Sequence, residues 1–182
     1  MGIIQEQEPV KLVTSIFSQD KNLIDSVTRM LVDKFGKTDF ETELLEFNQT
    51  NYYETEMGKA LLRKFVSFEG LIEPDSISDI KIYTNELEKS ISPSWKTERK
   101  RDVNIDPGYL DLAKLVLAST KDFYHRIYLS HGIYAEITLV FKKETHSKGG
   151  FQPFQWTYPD YASQEYRNIF NQIRKIYKNE KT

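Results

Sequence analysis

The chain has 182 residues, a formal net charge of −2 and an aromatic content of 13%, and it contains no cysteine. This length is enough to bury a core without a metal or a disulfide, and the lack of cysteine excludes disulfides, a thiolate nucleophile and cysteine-type zinc sites. Because the net charge is small and no apolar run approaches ~18 residues, we expect a cytoplasmic protein that binds neither a membrane nor nucleic acid.

The first third of the chain alternates between strand and helix patterns. A β-branched run over residues 10–17 predicts a strand, and Ser18 is then placed to cap a helix that ends at Gly36. Two further strands are predicted at residues 40–47 and 61–69. The polar, tyrosine-rich segment between them is long for a connection between paired strands, so residues 48–58 are predicted to fold over a site as a lid.

The middle of the chain completes the fold prediction. Pro74 opens a second helix, residues 92–101 are the most linker-like segment, and residues 103–105 predict a short buried strand. The resulting βαββαβ order is typical of a ferredoxin-like core. We therefore predict a single α+β domain over residues 1–182, with a core at about 10–106 and a C-terminal extension at about 107–179.

The extension begins at Asp106-Pro107-Gly108, which has the chemistry of a helix start. The apolar run that follows predicts a central helix, after which a hairpin and a final helix complete a helix–hairpin–helix extension. Five apolar residues of this region are predicted to be buried: Leu112, Val116, Ile127, Ile137 and Leu139. Such a helix N-terminus attracts anions. The alternative is that Asp106 satisfies the first N–H groups itself, as an ordinary N-cap.

The predicted hairpin turns at residues 130–132, with Gly132 in the left-handed position. This register places His125, Ile127, Leu129, Ile133 and Ile137 on a core face. The opposite face carries tyrosines around a pair formed by Arg126 and Glu136, which indicates either a covered face or a ligand pocket. His125 is then either a hydrogen-bonded core residue or an acid–base group.

Residues 156–161 form an aromatic segment ahead of the last helix. Pro159 disfavours helix at the residue before it, so Ser163 is the expected N-cap and the helix begins at Gln164. Asp160 is then free of capping and could face Arg126, Lys121 or His125. The alternative is that the aromatic residues only attach the last helix to the sheet.

Together these polar groups in core-like segments indicate a small-molecule site, with or without catalysis, for an anionic phosphate or carboxylate ligand. The candidate catalytic residues are Glu136, Asp106 and His125. The candidate ligand-binding residues are Arg126, Lys121, Asn85, Asn104, Asp160 and Tyr134. The alternative is a protein or RNA interaction module that uses the tyrosine-rich hairpin face without catalysis.

No cofactor is predicted. The chain has no P-loop, no dinucleotide motif and no histidine spacing for a metal, although carboxylates that meet in space could hold Mg²⁺. The sequence does not decide whether the protein is an enzyme, nor its oligomeric state.

Several motifs, spread from the first strand to the last helix, resemble an uncharacterised prokaryotic family catalogued as domain of unknown function 4416. They are PVKL (9–12), NYY (51–53), EMG (56–58), FVSFE (65–69), TNELE (84–88), NIDPGY (104–109), TKD (120–122), HRIYL (125–129), GIYAE (132–136) and WTYPDY (156–161). The family pattern has an acidic residue where this chain has Asn51. The resemblance implies no activity, because the family has none established.

Overall fold

The computed structural model describes residues 2–47, 57–92, 101–144 and 147–181. Within these residues nine strands form one antiparallel sheet: β1 (Val10–Ser18), β2 (Thr38–Glu41), β3 (Leu45–Phe47), β4 (Leu61–Ile72), β5 (Val103–Leu110), β6 (Lys114–Ser119), β7 (Ile127–Ser130), β8 (Ile133–Glu144) and β9 (Ser147–Pro153). Four helices accompany it: α1 (Lys21–Phe35), α2 (Ile77–Ile91), α3 (Pro159–Ala162) and α4 (Gln164–Glu180). The α+β class is confirmed.

The strand order across the sheet is β2-β4-β1-β5-β6-β8-β7, with β3 also on β4 and β9 also on β8. Helices α1 and α2 pack on one face through a core that includes Leu12, Ile16 and Ile24. Helix α4 covers the other face through Ile169, Phe170 and Ile173. The central strand β1 is buried along its whole length because helices cover both of its faces.

The helix predicted after Asp106 is wrong. Asp106, Pro107 and Gly108 lie inside β5, which reaches Leu110, turns tightly and returns as β6. The continuous apolar run fits this outcome, since a strand covered on both faces reads as uninterrupted hydrophobic sequence. Leu112, predicted to be buried, lies in the turn and is 38% exposed.

The predicted hairpin exists, and its pairs Ile127–Ala135 and Tyr128–Tyr134 are confirmed. The predicted pair of Leu129 with Ile133 is wrong, because a register shift at Leu129 places Ser130 opposite Ile133. His131 and Gly132 both have positive φ, 52° and 77°, as a two-residue hairpin turn requires.

The burial predicted for the hairpin is partly reversed. Val116 and Leu139 are buried as predicted, but Ile127 is 67% exposed and Ile137 is 38% exposed. On the opposite face, Thr157 Oγ1 donates to the backbone oxygen of Thr138, and Trp156 Nε1 donates to that of Ile137. The segment before α3 therefore covers part of this face, which is one of the two outcomes that the sequence left open.

The helix ends follow capping chemistry. Ser163 caps α4 as predicted, with its side chain accepting from the backbone N–H of Tyr166. The cap of α1 is Asp20, because Ser18 belongs to β1 and its hydroxyl donates to the backbone oxygen of Asp102. Gly36 ends α1 with a φ of 94°, as predicted. Within the described ranges, no helix is long and apolar enough to cross a membrane.

Candidate functional site

The site begins where two neighbouring strands separate. Strands β5 and β6 pair only over residues 108–110 and 115–117, so the earlier part of β5 pairs with β1 alone. At the open edge, the backbone N–H of Ile105 donates to Glu88 Oε1 at 2.6 Å, and Lys81 Nζ donates to the Ile105 oxygen at 2.9 Å. Two side chains of α2 thus replace the missing strand neighbour, which keeps the edge satisfied and the gap open.

The sequence Pro107-Gly108 lies at the point of separation. Pro107 has no backbone N–H, so it leaves no unpaired donor where the ladder stops. A Cβ on Gly108 would lie 2.4 Å from the Val116 backbone oxygen, so only glycine permits this approach of β6. Pro107 and Gly108 therefore mark the point where β5 and β6 separate, and they do not begin a helix.

The gap opens into a cavity of about 660 Å³, which is the size of a typical small-molecule pocket. Its walls come from β3, β4, α2, β5 with the preceding Arg101, β6, the turn at residues 120–126, β8 and residues 156–161. Eight of the nine predicted site residues line it: Asn85, Asn104, Asp106, Lys121, His125, Arg126, Glu136 and Asp160. Tyr134 does not line the cavity; its ring contacts that of Tyr128 instead.

Arg126 is held mainly by the protein itself. Its Nε donates to Glu136 Oε2 at 2.8 Å, NH1 donates to the Ser119 hydroxyl and the Lys121 backbone oxygen, and NH2 donates to the Tyr158 hydroxyl. Burial would lower the pKa of Arg126, but Glu136 and Tyr158 raise it above the ordinary value, so it stays charged. Four of its five N–H groups donate to these partners. One N–H group is left, so Arg126 cannot bind an anion through two parallel hydrogen bonds.

A second cluster links α2 to β5. Lys81 Nζ lies 3.1 Å from Asp106 Oδ1, Asn104 Nδ2 donates to Asp106 Oδ2 at 2.7 Å, and Arg101 donates to Asn104 and to Glu88. Burial would raise the pKa of Asp106, yet Lys81, Arg63 and Arg101 lower it below the ordinary value. The potential in this part of the cavity therefore favours negative charge.

The pKa of Glu88, which belongs to the same cluster, is shifted in the opposite direction to that of Asp106. Burial raises the pKa of its carboxyl, and Lys81, Arg101 and the Ile105 N–H offset that rise only in part. The neighbouring Asp106 carboxylate adds to it. The two carboxyls therefore differ in role: Asp106 is the anion of the cluster, and Glu88 is the acceptor that closes the strand edge.

The third group surrounds Arg63, which sequence reasoning missed. The Arg63 guanidinium forms an ion pair with Asp160, and both side chains are buried. Aromatic rings enclose it at centroid distances of 4.1 Å (Phe47), 4.8 Å (Phe17), 5.6 Å (Tyr161 and Tyr166) and 5.7 Å (Phe65). Burial raises the pKa of Tyr161 well above its usual range, although Arg63 opposes this rise. Asp160 meets Arg63, and none of the three partners that the sequence offered.

The signals for the missed residues are present in the sequence. Arg63 alternates with Leu61 and Phe65, which places it on the buried face of β4. Lys81 follows Ile77 by four residues and Glu88 follows Lys81 by seven, so all three lie on the buried face of α2. A charged residue at a position where the strand or helix pattern calls for an apolar one is the signal that identifies Arg63, Lys81 and Glu88.

The structure bears on two further predictions, the possible magnesium site and the lid, only within the described residues. In the described part of the chain, no group of three or more histidine, aspartate or glutamate side chains is arranged to hold a metal ion. The predicted lid falls almost wholly on residues 48–56, which lie outside the described residues; at its end, Met57 packs with Phe17, Phe47 and Leu61.

The fold and the cavity define a class: an α+β protein with an antiparallel sheet that divides around a polar, aromatic-walled pocket. The family model described as domain of unknown function (DUF4416) matches residues 8–177, so the chain belongs to that family. Neither the curated proteins nor the solved structures contain a significant match to the chain.

Proposed function

We propose that the cavity between β5 and β6 binds a small anionic molecule that carries a phosphate or carboxylate group. The observation that carries this proposal is the convergence of charged side chains from six separate segments on one cavity of about 660 Å³. A charge that serves only to tie loops together needs one partner at the surface. It does not need a shared concave space, and ligand sites are concave with a few convergent polar groups.

The charge of the lining supports an anion. Five basic side chains line the cavity, namely Arg63, Lys81, Arg101, Lys121 and Arg126, against four acidic ones, namely Asp106, Asp122, Glu136 and Asp160. The lowered pKa of Asp106 reports the same sign of potential from inside the site. Arg63 adds positive charge to the inner wall of the cavity, where its guanidinium pairs with Asp160.

We also propose that β1, α1, β2, β4, α2 and β5 are a ferredoxin-like core. Their order β2-β4-β1-β5 in an antiparallel sheet, with α1 and α2 on one face, supports this assignment. The cavity then lies where the last strand of the core meets the C-terminal extension. Lengthening or shifting that extension is a simple way for one core to acquire a ligand site.

The competing function is a protein-interaction surface on the hairpin. Tyr124, Ile127 and Tyr128 are 76%, 67% and 57% exposed, which is high for large apolar side chains. Arg126, Asn85 and Asp160 line one concave cavity, which favours the small-molecule site, since a docking face for a macromolecule is flatter.

Thermal unfolding with paired probes tests the proposal. Phenyl phosphate, benzoate, phthalate and pyrophosphate are compared with neutral benzamide and benzyl alcohol at constant ionic strength. A ligand at about 100 times its Kd stabilises by about 2.7 kcal/mol, which shifts Tm by about 5–10 °C for a chain of this size. We expect an anion to produce such a shift, Lys121→Met to reduce it, and Lys175→Met on α4, away from the cavity lining, to leave it unchanged. The absence of any anion that exceeds its neutral counterpart would contradict the proposal.

A further inference from the structure

The entrance of the cavity is aromatic. Phe123, Tyr124 and Tyr158 line the cavity, and they are 56%, 76% and 51% exposed. Side chains that line a cavity and are more than half open to solvent border its entrance, so we call these three residues the aromatic rim. Large apolar surfaces that stay open to water in one concave region are typical of binding sites. The aromatic rim therefore indicates a ligand with an apolar part that covers it.

The inner wall of the cavity has a different character. Five of the eight buried side chains that line it are polar or charged: Arg63, Lys81, Asn104, Glu136 and Asp160. Asn85 lines the cavity one helical turn after Lys81, so α2 presents a cation and an amide side by side. Burial would raise the pKa of Asp106, but the neighbouring cations lower it, so the negatively charged end of a ligand is favoured at this wall.

The turn that precedes β7 fixes the aromatic rim in place. The backbone N–H of Arg126 donates to the Phe123 backbone oxygen at 2.9 Å. The rings of Phe123 and Tyr124 contact the His125 imidazole at centroid distances of 5.2 and 5.0 Å. His125 is itself held, because its Nε2 lies 3.2 Å from Glu136 Oε2. Side chains held in this way lose little conformational freedom when a ligand binds, which favours affinity.

The aromatic rim is separate from the exposed face of the hairpin. Ile127 and Tyr128 are also exposed, but neither lines the cavity. The Tyr128 ring contacts the Tyr134 ring instead, at a centroid distance of 5.4 Å. The exposed apolar residues of this region therefore form two groups, and the aromatic rim is the group that borders the basic side chains of the cavity.

We propose that the ligand is an aromatic anion, whose phosphate or carboxylate group meets the inner wall and whose ring lies on the aromatic rim. This inference rests on the proposed anion-binding function and names its ligand class. An aromatic ring is favoured over an alkyl group, because ring pairs in offset or edge-to-face contact are more stable than their buried area alone predicts. A small anion without a ring leaves the aromatic rim uncovered and binds less tightly.

Matched pairs of probes separate the ring from the charge. Phenyl phosphate is compared with methyl phosphate, and benzoate with acetate, by ¹H–¹⁵N correlation titration at constant ionic strength. At about pH 8 both phosphate esters are dianions, since the second pKa of such a group is about 6. We expect the aromatic member of at least one pair to have a Kd about 10-fold lower, as ring contacts and ring burial supply. Cyclohexyl phosphate, which has the size of the phenyl ester without its aromaticity, should fall between the two phosphates.

A pair of tyrosine variants tests the place of the ring. Tyr124→Ser removes one ring of the aromatic rim from a mostly exposed position, so the fold is kept. It should lower the preference for the aromatic probe about 3-fold and leave the Kd of the alkyl probe unchanged. Tyr128→Ser is the matched control, because Tyr128 is an exposed tyrosine outside the cavity lining, and it should change neither value.

Two results would overturn the inference. One is an aromatic probe that binds no more tightly than its alkyl partner in both pairs, and the other is an equal effect of Tyr124→Ser and Tyr128→Ser. Saturable binding of methyl phosphate or acetate in the cavity would then refute the aromatic ligand alone and leave the anion site standing. Failure of all four probes to bind in the cavity would refute the anion site and, with it, the aromatic ligand.

Discussion

The ion pair of Arg63 and Asp160 should be among the costliest polar interactions to break. Arg63→Met removes the charge but keeps an unbranched apolar chain among the five rings, so the packing changes little. The substitution leaves the Asp160 carboxylate, whose side chain is 8% exposed, without its cation. The loss therefore reports the buried charge rather than a cavity.

The expected size follows from the burial of both partners. Removing one partner of a buried pair costs about 3–5 kcal/mol, because the remaining charge is neither solvated nor paired. Lys89→Met is the control, because its partner Glu86 lies three residues earlier on the exposed face of α2. Exposed pairs of this kind contribute about 0.3–0.5 kcal/mol.

Urea unfolding followed by far-ultraviolet circular dichroism measures both variants, and equal m-values confirm that only stability changed. A double variant, Arg63→Met with Asp160→Asn, completes the cycle. It should cost less than the sum of the single variants by about 0.5–3 kcal/mol, since the second change removes the uncompensated charge. A cost for Arg63→Met no larger than for Lys89→Met, or strict additivity in the cycle, would refute the reasoning.

Further predictions concern the strand separation and the Asp106 cluster. Gly108→Ala should lower Tm, since its Cβ would meet the Val116 backbone oxygen, while Gly2→Ala, with no atom nearby, should be neutral; equal melting of the two would refute this placement of β6. Asp106→Asn should cost about 1–3 kcal/mol at pH 7. The folded-state pKa of Asp106 is lowered, so its contribution is complete above the unfolded value of 3.8 and disappears as pH falls through the folded value. Unfolding free energies of wild type and Asp106→Asn should therefore converge below pH 3.8, and a gap that stays constant from pH 7 to pH 3 would contradict the assignment.

Strongly periodic elements could be predicted from the sequence. Helices α1, α2 and α4, strands β1 and β4 and the hairpin turn all show local patterns that agree with their final environment. The segment from Leu110 to Leu117 could not be assigned in the same way, because burial on both faces removes the alternation that separates a strand from a helix.

The residues that line the cavity were predictable from the sequence, but their pairings were not. Asp106, Arg126, Glu136 and Asp160 were chosen as polar residues within apolar segments, and all four line one cavity. The partner of Asp160 is Arg63, which is 97 residues away in the chain, and no local pattern encodes a contact at that separation. Arg126 was expected to bind an anion, but the covering segment before α3 and the carboxylate of Glu136 occupy most of its donors.

The most direct test of the ligand site is a ¹H–¹⁵N correlation titration of the wild-type protein with phenyl phosphate. The Trp156 indole N–H is the reporter, because Trp156 lines the cavity, donates to the Ile137 backbone oxygen at 3.0 Å and stacks on His125. Trp156→Phe assigns its signal. The account predicts saturable shifts of that indole signal and of the amides at residues 118–126 and 136. Shifts confined to the exposed lysines of α4, or no saturable shift at all, would contradict a small-anion site between β5 and β6.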